Sequence, residues 1–405
     1  MTRSQTLDRL PWLVLGVTCL IGWWFKAHCG AYWIDNAQYI TGCYSDALPF
    51  WGLRGVSAGD VPYFQARMEY PVLTGALIWV EGAITRLGGA RADAGDFVMV
   101  VSAGNAALAF AVLALFRRAG VSRARQYAWA AAPPLILYVG HNWDMLAVAL
   151  AVAAALAARS GATISAAALA ALGVAAKLFP ILLLPLLALG ALFETGRDRR
   201  GRLIHAAMLT LVAIASWGLV NILPATLAHQ NWAEFYRFSG ARAGTAASVW
   251  EILAQATGWP RDVATRNLWS AASFVVGAGA ILAIGWRRHG AQGWLLFTPI
   301  LAWFLLTSKV YSPQFDLWLY PMLLLTTRRL WTISWFALGD VTAYFVEFWW
   351  FAGITTPTHI ALAAGLRGAA MLWIIASALA EPAPAWLTPP RAMSRPPEGR
   401  PTPAG

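Results

Sequence analysis

The stretch FVMVVSAGNAALAFAVLALF, residues 97–116, decides the fold class because it carries no charged side chain over its whole length. A helix of this length rises about 30 Å, which is the thickness of the hydrocarbon core of a bilayer. Arg117 and Arg118 follow directly, and paired arginines at the end of an apolar run are typical of the cytoplasmic end of a membrane helix. The segment is therefore predicted to cross a membrane.

Apolar runs of this character recur along almost the whole chain. They lie at residues 10–25, 70–87, 97–116, 127–138, 143–158, 164–176, 178–193, 203–223, 268–286, 294–307, 315–327, 330–350 and 359–380. The pattern predicts an all-α polytopic membrane protein, a bundle of about 12–13 transmembrane or re-entrant helices within residues 1–380. The runs beside Pro133 and beside Pro180 are too short for a straight span, so broken or re-entrant helices are expected there. No small-residue cleavage site of the kind that follows a signal peptide comes after the first run. We therefore expect this run to stay in the protein as its first membrane helix.

Composition excludes a water-soluble fold. Of the 405 residues, 59% are hydrophobic and 12% are charged, whereas soluble domains average about 25% charged residues. The formal net charge of +11 does not indicate a nucleic-acid partner, because the arginines stand in short clusters between the apolar runs. Such clusters set the orientation of helices in the plasma or inner membrane. The Pro-rich tail, residues 381–405, is expected to be disordered.

The arginine clusters predict which connections face the cytoplasm. Those at residues 117–118, 159, 197–202, 287–288 and 328–329 fall inside when the long loops 26–69 and 224–262 fall outside. The run 70–87 then returns to the side from which it started, or one cluster breaks the rule. Within the first outer loop, residues 46–56 and 61–68 have the mixed aromatic and charged character of interfacial helices.

Cysteines and lysines are few enough to be considered one by one. Cys29 and Cys43 both fall in the first outer loop, where they form either a disulfide or two free thiols. Lys26 follows an aromatic run, and we expect its long side chain to place the amine at the membrane interface. Lys177 and Lys309 stand between apolar stretches, where an ammonium either binds an anion or pairs with a carboxylate.

Acidic residues of the first outer loop are the first candidates for chemistry. Asp46 precedes a predicted interfacial helix and Glu69 lies at the membrane edge, so helix capping is the alternative role for both. A second polar group, His141, Asn142 and Asp144, interrupts otherwise apolar sequence. Ionisable residues in such a setting are functional candidates.

The outer segment 224–262 mixes aromatic and charged side chains. Trp232, Phe235, Tyr236 and Trp250 alternate there with Glu234, Arg237 and Arg242. Aromatic and cationic side chains together suit a sugar ring with a phosphate. An interfacial aromatic belt explains the aromatic residues equally well.

Several short motifs, taken together and in order, resemble those of a known family. They are CYSD at 43–46, MEYP at 68–71, NWD at 142–144, AAKLFP at 175–180, NWAEFYRFS at 231–239 and SKVYSPQF at 308–315. The combination resembles the GT-C superfamily of polyprenol-phosphate-sugar-dependent glycosyltransferases, and most of all glycosyltransferase family 87 with its bacterial α-mannosyltransferases. The resemblance covers about residues 10–350.

The resemblance implies an inverting glycosyltransferase that moves a sugar, mannose above all, from a polyprenyl-phosphate donor to a cell-envelope glycolipid or glycan at the extracytoplasmic face. It implies no cofactor and no metal. It assigns the general base to Asp46, with Asp35 and Glu69 as alternatives. It implies a donor-phosphate site at Lys177, Lys309 and Arg54. Further candidate substrate contacts are His141, Asn142, Asp144, Tyr311, Gln314, Glu234 and Arg237.

Two other protein classes have a similar number of helices. A lipid or small-molecule transporter, such as a flippase, is the main alternative, and a non-catalytic protein of envelope assembly is the second. No pair of interrupted helices occupies corresponding positions in two halves of the chain, and the polar residues are expected in outer loops and not at mid-membrane. Both features weigh against a transporter.

Overall fold

The computed structural model describes residues 3–260 and 262–387, and their regular structure is helical. In chain order the α-helices are α1 (Arg3–Ala27), α2 (Ala37–Ile40), α3 (Ala47–Leu53), α4 (Val72–Arg86), α5 (Ala94–Arg118), α6 (Arg123–Ala130), α7 (Pro133–Tyr138), α8 (Asp144–Arg159), α9 (Thr163–Val174), α10 (Leu183–Leu192), α11 (Arg199–Leu227), α12 (His229–Trp232), α13 (Glu234–Ala241), α14 (Val249–Thr257), α15 (Val263–His289), α16 (Phe297–Thr307), α17 (Asp316–Thr326), α18 (Leu330–Phe351) and α19 (Pro357–Ala380). Short 3-10 helices lie at Gly89–Arg91, Phe179–Leu182, Gly290–Leu296, Pro313–Phe315 and Ala385–Leu387.

Five helices in the described part of the chain are long and apolar enough to cross a bilayer. They are Arg9–Ala27, Ala94–Arg118, Arg199–Leu227, Val263–His289 and Pro357–Ala380. Three shorter apolar stretches, Thr163–Val174, Phe179–Leu192 and Gln292–Thr307, pack against them. The predicted all-α membrane architecture agrees with these helices. Fewer helices than the predicted 12–13 meet the length and composition of a full span, because proline and polar residues divide several of the apolar runs.

Prolines interrupt the helices where breaks were predicted. Pro133 begins α7 after α6 has ended at Ala130, and α9 ends at Val174, before the 3-10 helix that contains Pro180. Proline has no N–H for the helical ladder and is favoured in the first turn, so a helix often begins at a proline. The predicted breaks are confirmed, and the loop that follows α9 carries Lys177.

Arginine side chains gather at one end of the bundle. Arg117, which ends α5, lies over the ring of Trp12 near the start of α1. Arg125 of α6 donates to the carbonyl oxygen of Leu324, at the end of α17, over 2.6 Å. Arg159, which ends α8, donates over 2.6 Å to the carbonyl oxygen that follows α5. Clusters that were predicted to share the cytoplasmic side therefore share one end of the bundle, as the positive-inside rule requires.

Both ends of α4 contact the end of the bundle opposite Arg117, Arg125 and Arg159. This placement explains the run 70–87, whose direction the arginine clusters left ambiguous. At its start, the N–H of Leu73 donates to the carbonyl oxygen of Ala175, beside the break after α9, over 2.8 Å. At its end, Arg86 donates to the carbonyl oxygen of Val56 in the first loop. A helix of 15 residues is about 22 Å long, too short for a full span. Helix α4 therefore returns to the end from which it started, and α5 runs on to the arginine end.

The first loop forms a compact layer on α4 and α5 and does not lie flat on a membrane. Its side chains and those beneath it make a separate hydrophobic core of Ala47, Leu48, Phe50, Val56, Tyr63, Met68, Tyr70, Ile78, Ala94, Phe97, Val98, Val101 and Trp143. The helix predicted over residues 46–56 is present as α3, but one face of it is buried in the protein. The helix predicted over residues 61–68 is wrong. Pro62 and the left-handed Tyr63, with φ 70°, form a turn that is closed by a bridge to Ala66.

Cys29 and Cys43 form a disulfide, which decides between the two alternatives left open by the sequence. The bond joins the end of α1 to the segment that leads into α3 across a sequence separation of 14 residues. Closing a loop of this length stabilises a folded protein by about 3 kcal/mol, because it restricts the unfolded chain. The disulfide therefore holds the first loop against the helix bundle.

We expect reductant to lower the thermal unfolding midpoint of the purified protein in detergent. The double variant Cys29→Ser/Cys43→Ser should show the low midpoint without reductant and should not respond to it. Cys19 is a buried free thiol, so Cys19→Ser is the matched control and should respond as the unmodified protein does. A midpoint that reductant leaves unchanged in Cys19→Ser would contradict a stabilising role for the disulfide.

The first residues of the Pro-rich tail are ordered, so the prediction of disorder is wrong for residues 381–387. Glu381 forms an ion pair with Arg329 over 3.1 Å, and the guanidinium of Arg159 lies 4.4 Å from the ring centroid of Trp386. Prolines interrupt an α-helix here but do not prevent the aromatic side chain of Trp386 from packing. The rest of the predicted tail, 388–405, lies outside the described residues.

Candidate functional site

A cavity of about 800 Å³ lies among the loops at the end of the bundle opposite Arg117, Arg125 and Arg159. Seven of the residues singled out in the sequence line it, namely Asp46, Arg54, Glu69, His141, Lys177, Lys309 and Gln314. They come from the first loop and from the connections after α7, α9 and α16. The fold thus brings acidic and basic side chains from four distant parts of the chain to one cavity.

Backbone hydrogen bonds hold Asp46 at this cavity. Its N–H donates to the carbonyl oxygen of His141 over 2.8 Å, and the hydroxyl of Ser45 donates to that of Gly140 over 2.6 Å. The carboxylate of Asp46 makes no capping bond to α3 and accepts instead from the hydroxyl of Tyr70 over 2.9 Å. Helix capping is therefore wrong for Asp46. The side chain is enclosed by protein but keeps partial access to the cavity.

Burial raises the pKa of Asp46 above the usual value of an aspartic acid. The hydroxyls of Tyr70 and Tyr44 and the ammonium of Lys177 act in the opposite direction by favouring the charged carboxylate, whereas the carboxylate of Asp144 raises the pKa further. The balance is an elevated pKa. A carboxylate needs an elevated pKa to act as a general base near neutral pH.

The two other candidate bases are placed differently. Glu69 lines the cavity but forms an ion pair with Arg54, so each charge already has a partner. Asp35 lies on an exposed turn with φ 52° and does not line the cavity. Asp46 is the one of the three that lines the cavity without an ion pair among the described residues.

Lys177 pairs with a carboxylate, which was one of its two predicted roles. Its Nζ lies 2.7 Å from Oδ1 of Asp144, and the other oxygen of that carboxylate accepts from the indole of Trp318 over 2.7 Å. The ring of Tyr70 lies 4.9 Å from the same ammonium. Asp144, predicted as a substrate contact, is instead a buried counter-ion that does not line the cavity. Lys177 still lines it.

We expect Asp144→Asn to destabilise the protein by about 3–5 kcal/mol, because the substitution leaves the enclosed ammonium of Lys177 without its counter-ion. The double variant Lys177→Met/Asp144→Leu removes both charges and should recover much of the lost stability. Chemical unfolding in detergent measures both free energies. If the single and the double variant were equally stable, the pair would not be coupled.

Lys309 and Arg242 form a second group, and neither takes part in an ion pair among the described residues. Nζ of Lys309 donates to the carbonyl oxygens of Gly240, over 2.8 Å, and of Arg242, over 2.6 Å. The side chain of Arg242 also lines the cavity. Burial, together with the charges of Arg242 and Arg266, lowers the pKa of Lys309. Two neighbouring cations that repel each other make a site for an anion. The sequence placed Arg242 in a mixed aromatic segment but assigned it no role.

Phenylalanine side chains extend the cavity towards the surface of the bundle. Phe235 and Phe238 of α13, Phe274 of α15 and Phe304 of α16 form this apolar wing. Of the five long helices α15 has the smallest buried share, 11%, so the wing lies beside a helix that is largely exposed. The predicted loop 224–262 thus begins inside α11 and folds largely into α12, α13 and α14.

Four other predicted substrate contacts lie away from the cavity lining, namely Asn142, Tyr311, Glu234 and Arg237. Asn142 is buried, and its Oδ1 accepts the N–H of the first residue of α8 over 3.1 Å. Tyr311 is buried and donates to the carboxylate of Asp316. Glu234 and Arg237 pair with each other over 3.2 Å, and Arg237 is exposed. These side chains have structural partners in the described part of the chain, and their role as substrate contacts stays a prediction.

Lys26 is fully buried, so its predicted interfacial position is wrong. Its Nζ donates to the carbonyl oxygen of Gly42 over 3.1 Å, contacts the hydroxyl of Tyr344 and lies 3.3 Å from Nδ1 of His141. The amine finds polar partners inside the protein and has no need to reach water. Lys26 therefore joins the first loop to α18 and orients His141, which lines the cavity.

Charged residues also lie inside the helix bundle. Asp340 and Arg367 stand near the middle of α18 and α19, and Asp316 begins α17. Nη1 of Arg367 lies 3.4 Å from Oδ2 of Asp316, and Tyr138 donates to Asp340. The three charged residues are at most 1% exposed. The expectation that polar residues avoid mid-membrane is therefore wrong, although single charges within apolar runs were visible in the sequence.

The cavity offers two carboxylates without an ion pair among the described residues, Asp46 and Glu347, together with two neighbouring cations and an apolar wing. Comparison with models of protein families and with curated proteins found no significant match for this chain. What the site does therefore follows from its own geometry and chemistry.

Proposed function

We propose that this protein is a membrane glycosyltransferase that moves a sugar from a polyprenyl-phosphate donor to a cell-envelope glycolipid or glycan. Mannose is the first candidate for the transferred sugar. The observation that carries the proposal is that Asp46, Lys177 and Lys309, far apart in sequence, line one cavity. Membership of the GT-C superfamily is part of the proposal. It rests on the motifs that contain these residues.

In the proposed reaction, the hydroxyl oxygen of the acceptor attacks the anomeric carbon of the donor sugar. Asp46 takes the proton of that hydroxyl as the new glycosidic bond forms. The bond between sugar and phosphate breaks, and its electron pair leaves with the phosphate. Lys309 and Arg242 stabilise the charge of the leaving phosphate. A single displacement of this kind inverts the anomeric centre.

Three further features support a lipid-linked donor on the outer face of the plasma or inner membrane. The apolar wing of Phe235, Phe238, Phe274 and Phe304 suits a polyprenyl chain that enters from the bilayer beside the phosphate. The arginine clusters at the far end of the bundle favour a cytoplasmic position for that end. The disulfide near the cavity is of the kind that persists in an oxidising compartment.

Transfer from a labelled donor tests the proposal. Purified protein in detergent is incubated with polyprenyl-phosphate mannose, and in parallel with polyprenyl-phosphate arabinose, together with an envelope lipid extract. A labelled glycolipid product identifies the donor sugar. Absence of transfer and of donor hydrolysis with every polyprenyl-phosphate sugar would overturn the proposal.

A transporter or flippase is the second candidate, and the buried charges of Asp316, Asp340 and Arg367 favour it. Charged residues inside a helix bundle often mark ion or substrate pathways. Sealed vesicles distinguish the two functions. Movement of a labelled lipid or sugar across the membrane, without formation of a glycosidic bond, would favour transport.

The pH dependence of sugar transfer should report the protonation state of the Asp46 carboxyl. The carboxyl must be deprotonated to take a proton, and burial raises its pKa, so kcat/KM should fall on acidification at a pH above the ordinary carboxyl range. Tyr70→Phe removes a hydroxyl that lowers this pKa and should move the fall to higher pH. Tyr320, whose hydroxyl bonds the carbonyl oxygen of Ala128 in α6, provides the control Tyr320→Phe. A fall that stays in place in Tyr70→Phe would contradict the assignment.

A further inference from the structure

One wall of the cavity is aromatic and is not used by the proposed donor site. It consists of Tyr39, Tyr44, Phe348 and Phe351, which we call the aromatic wall. The ring of Tyr39 lies 6.0 Å from that of Tyr44 with 14° between their planes, and 6.2 Å from that of Phe348 with 20°. The ring of Phe351 lies 5.5 Å from that of Tyr39. The first loop and the end of α18 thus present a group of rings to one space.

The aromatic wall is not simply a set of interfacial anchors. Phe348 is 5% exposed and Tyr39 and Tyr44 are half-buried, whereas Phe351 at the rim is 51% exposed. Three of the four rings are therefore held within the protein beside the cavity. Anchors at a membrane interface instead direct their rings towards lipid headgroups. Aromatic rings with a few placed polar groups are typical of a pocket for a small molecule.

Glu347 supplies the polar group. It precedes Phe348 in α18, lines the same cavity and is 2% exposed, and its Oε2 has no hydrogen-bond partner among the described residues. A buried acceptor without a donor destabilises a protein by about 1–3 kcal/mol. An ionised carboxylate can only accept hydrogen bonds. A ligand hydroxyl suits this carboxyl, because it can donate to the ionised form and accept from the protonated form.

We propose that the aromatic wall and Glu347 form the acceptor subsite, and that the acceptor group is a carbohydrate ring. This inference rests on the proposed function and names its acceptor class. A pyranose ring has a face of C–H groups that packs on an aromatic ring and a rim of hydroxyls that donate to a carboxylate. Tyr44 stands two residues before Asp46 and bonds its carboxylate. A sugar on the wall therefore presents a hydroxyl close to the base.

Kinetics with full-length protein test the subsite. Tyr39→Leu and Glu347→Gln should each raise KM for the glycan acceptor by about tenfold, which corresponds to about 1.4 kcal/mol. Tyr39→Phe keeps the ring and should retain the original KM. Phe345→Leu is the matched control, because Phe345 is an aromatic residue of the same helix that packs on Phe25 and does not line the cavity.

The outcomes separate this inference from the proposed function. An unchanged acceptor KM in both Tyr39→Leu and Glu347→Gln, in protein that transfers sugar, overturns the subsite and leaves the glycosyltransferase proposal standing. If no donor is used at all, saturation-transfer NMR with methyl α-mannoside still decides. A signal that Tyr39→Leu abolishes and Tyr39→Phe retains supports a carbohydrate site, and absence of the signal in the unmodified protein overturns it.

Discussion

Asp46→Asn is expected to abolish measurable sugar transfer, with kcat reduced by about 10³-fold, because positioned general bases contribute about 10²–10⁴-fold. Of the three candidate bases considered from the sequence, only Asp46 lines the cavity without an ion pair among the described residues. Glu347, the other cavity carboxylate without an ion pair, is assigned to the acceptor subsite. Asparagine has almost the same shape and can still accept from the hydroxyl of Tyr70, so the loop should keep its conformation. It cannot take a proton. The loss should therefore appear in kcat, with donor binding retained.

The control for this experiment is Asp35→Asn, which changes an exposed carboxylate of the same loop that does not line the cavity. It should transfer sugar at the original rate. A fully active Asp46→Asn would refute the assignment of the base. If Glu69→Gln is the inactive variant, the enzyme proposal remains and the base is Glu69, released from Arg54 by the substrate.

Lys309→Met should reduce the transfer rate by about 10²–10³-fold and raise KM for the polyprenyl-phosphate donor, since loss of one group that stabilises developing charge has an effect of this size. Lys309 and Arg242 are neighbouring cations at the cavity, and neither forms an ion pair with a carboxylate among the described residues. A phosphate between them would relieve their repulsion. Departure of the phosphate from the sugar increases its charge, so the interaction strengthens during the reaction.

Lys309 also binds two carbonyl oxygens that follow α13, so its replacement disturbs local structure as well as charge. Arg242→Gln separates the two effects, because the Arg242 guanidinium packs over the ring of Phe238 and forms no ion pair among the described residues. It should raise the donor KM as well. Arg237→Gln removes a cation of α13 away from the cavity and should have no effect. Unchanged donor KM values in both Lys309→Met and Arg242→Gln would overturn the phosphate site.

Much of the architecture could be predicted from local sequence. Long apolar runs form long helices, and proline breaks them near Pro133 and Pro180, because both effects act over a few neighbouring residues. The arginine clusters also sorted the connections correctly between two ends of the bundle. The first loop was harder, since its helix α3 is stabilised by contacts with α4 and α5 that lie outside the local segment.

The residues of the candidate site fall into two groups as well, those that stood out in the local sequence and those that did not. Asp46, Lys177 and Lys309 stood out as charges in apolar or aromatic surroundings, and all three line the cavity. Glu347 and Arg242 did not stand out, because a glutamate among aromatic residues and an arginine in a polar loop have common local settings. Their part in the site depends on which other segments pack beside them.

The sequence by itself determined that the chain is a helical membrane protein and which charges are unusual, because the transfer of a side chain from water to lipid depends mainly on that side chain and its neighbours along the helix. Only the tertiary structure decided which charges are compensated. Lys177 has Asp144, Lys26 has carbonyl and hydroxyl partners, and Lys309 has no carboxylate among its described contacts. Such pairings join residues far apart in the chain, and their energy depends on distance and burial that no local pattern records.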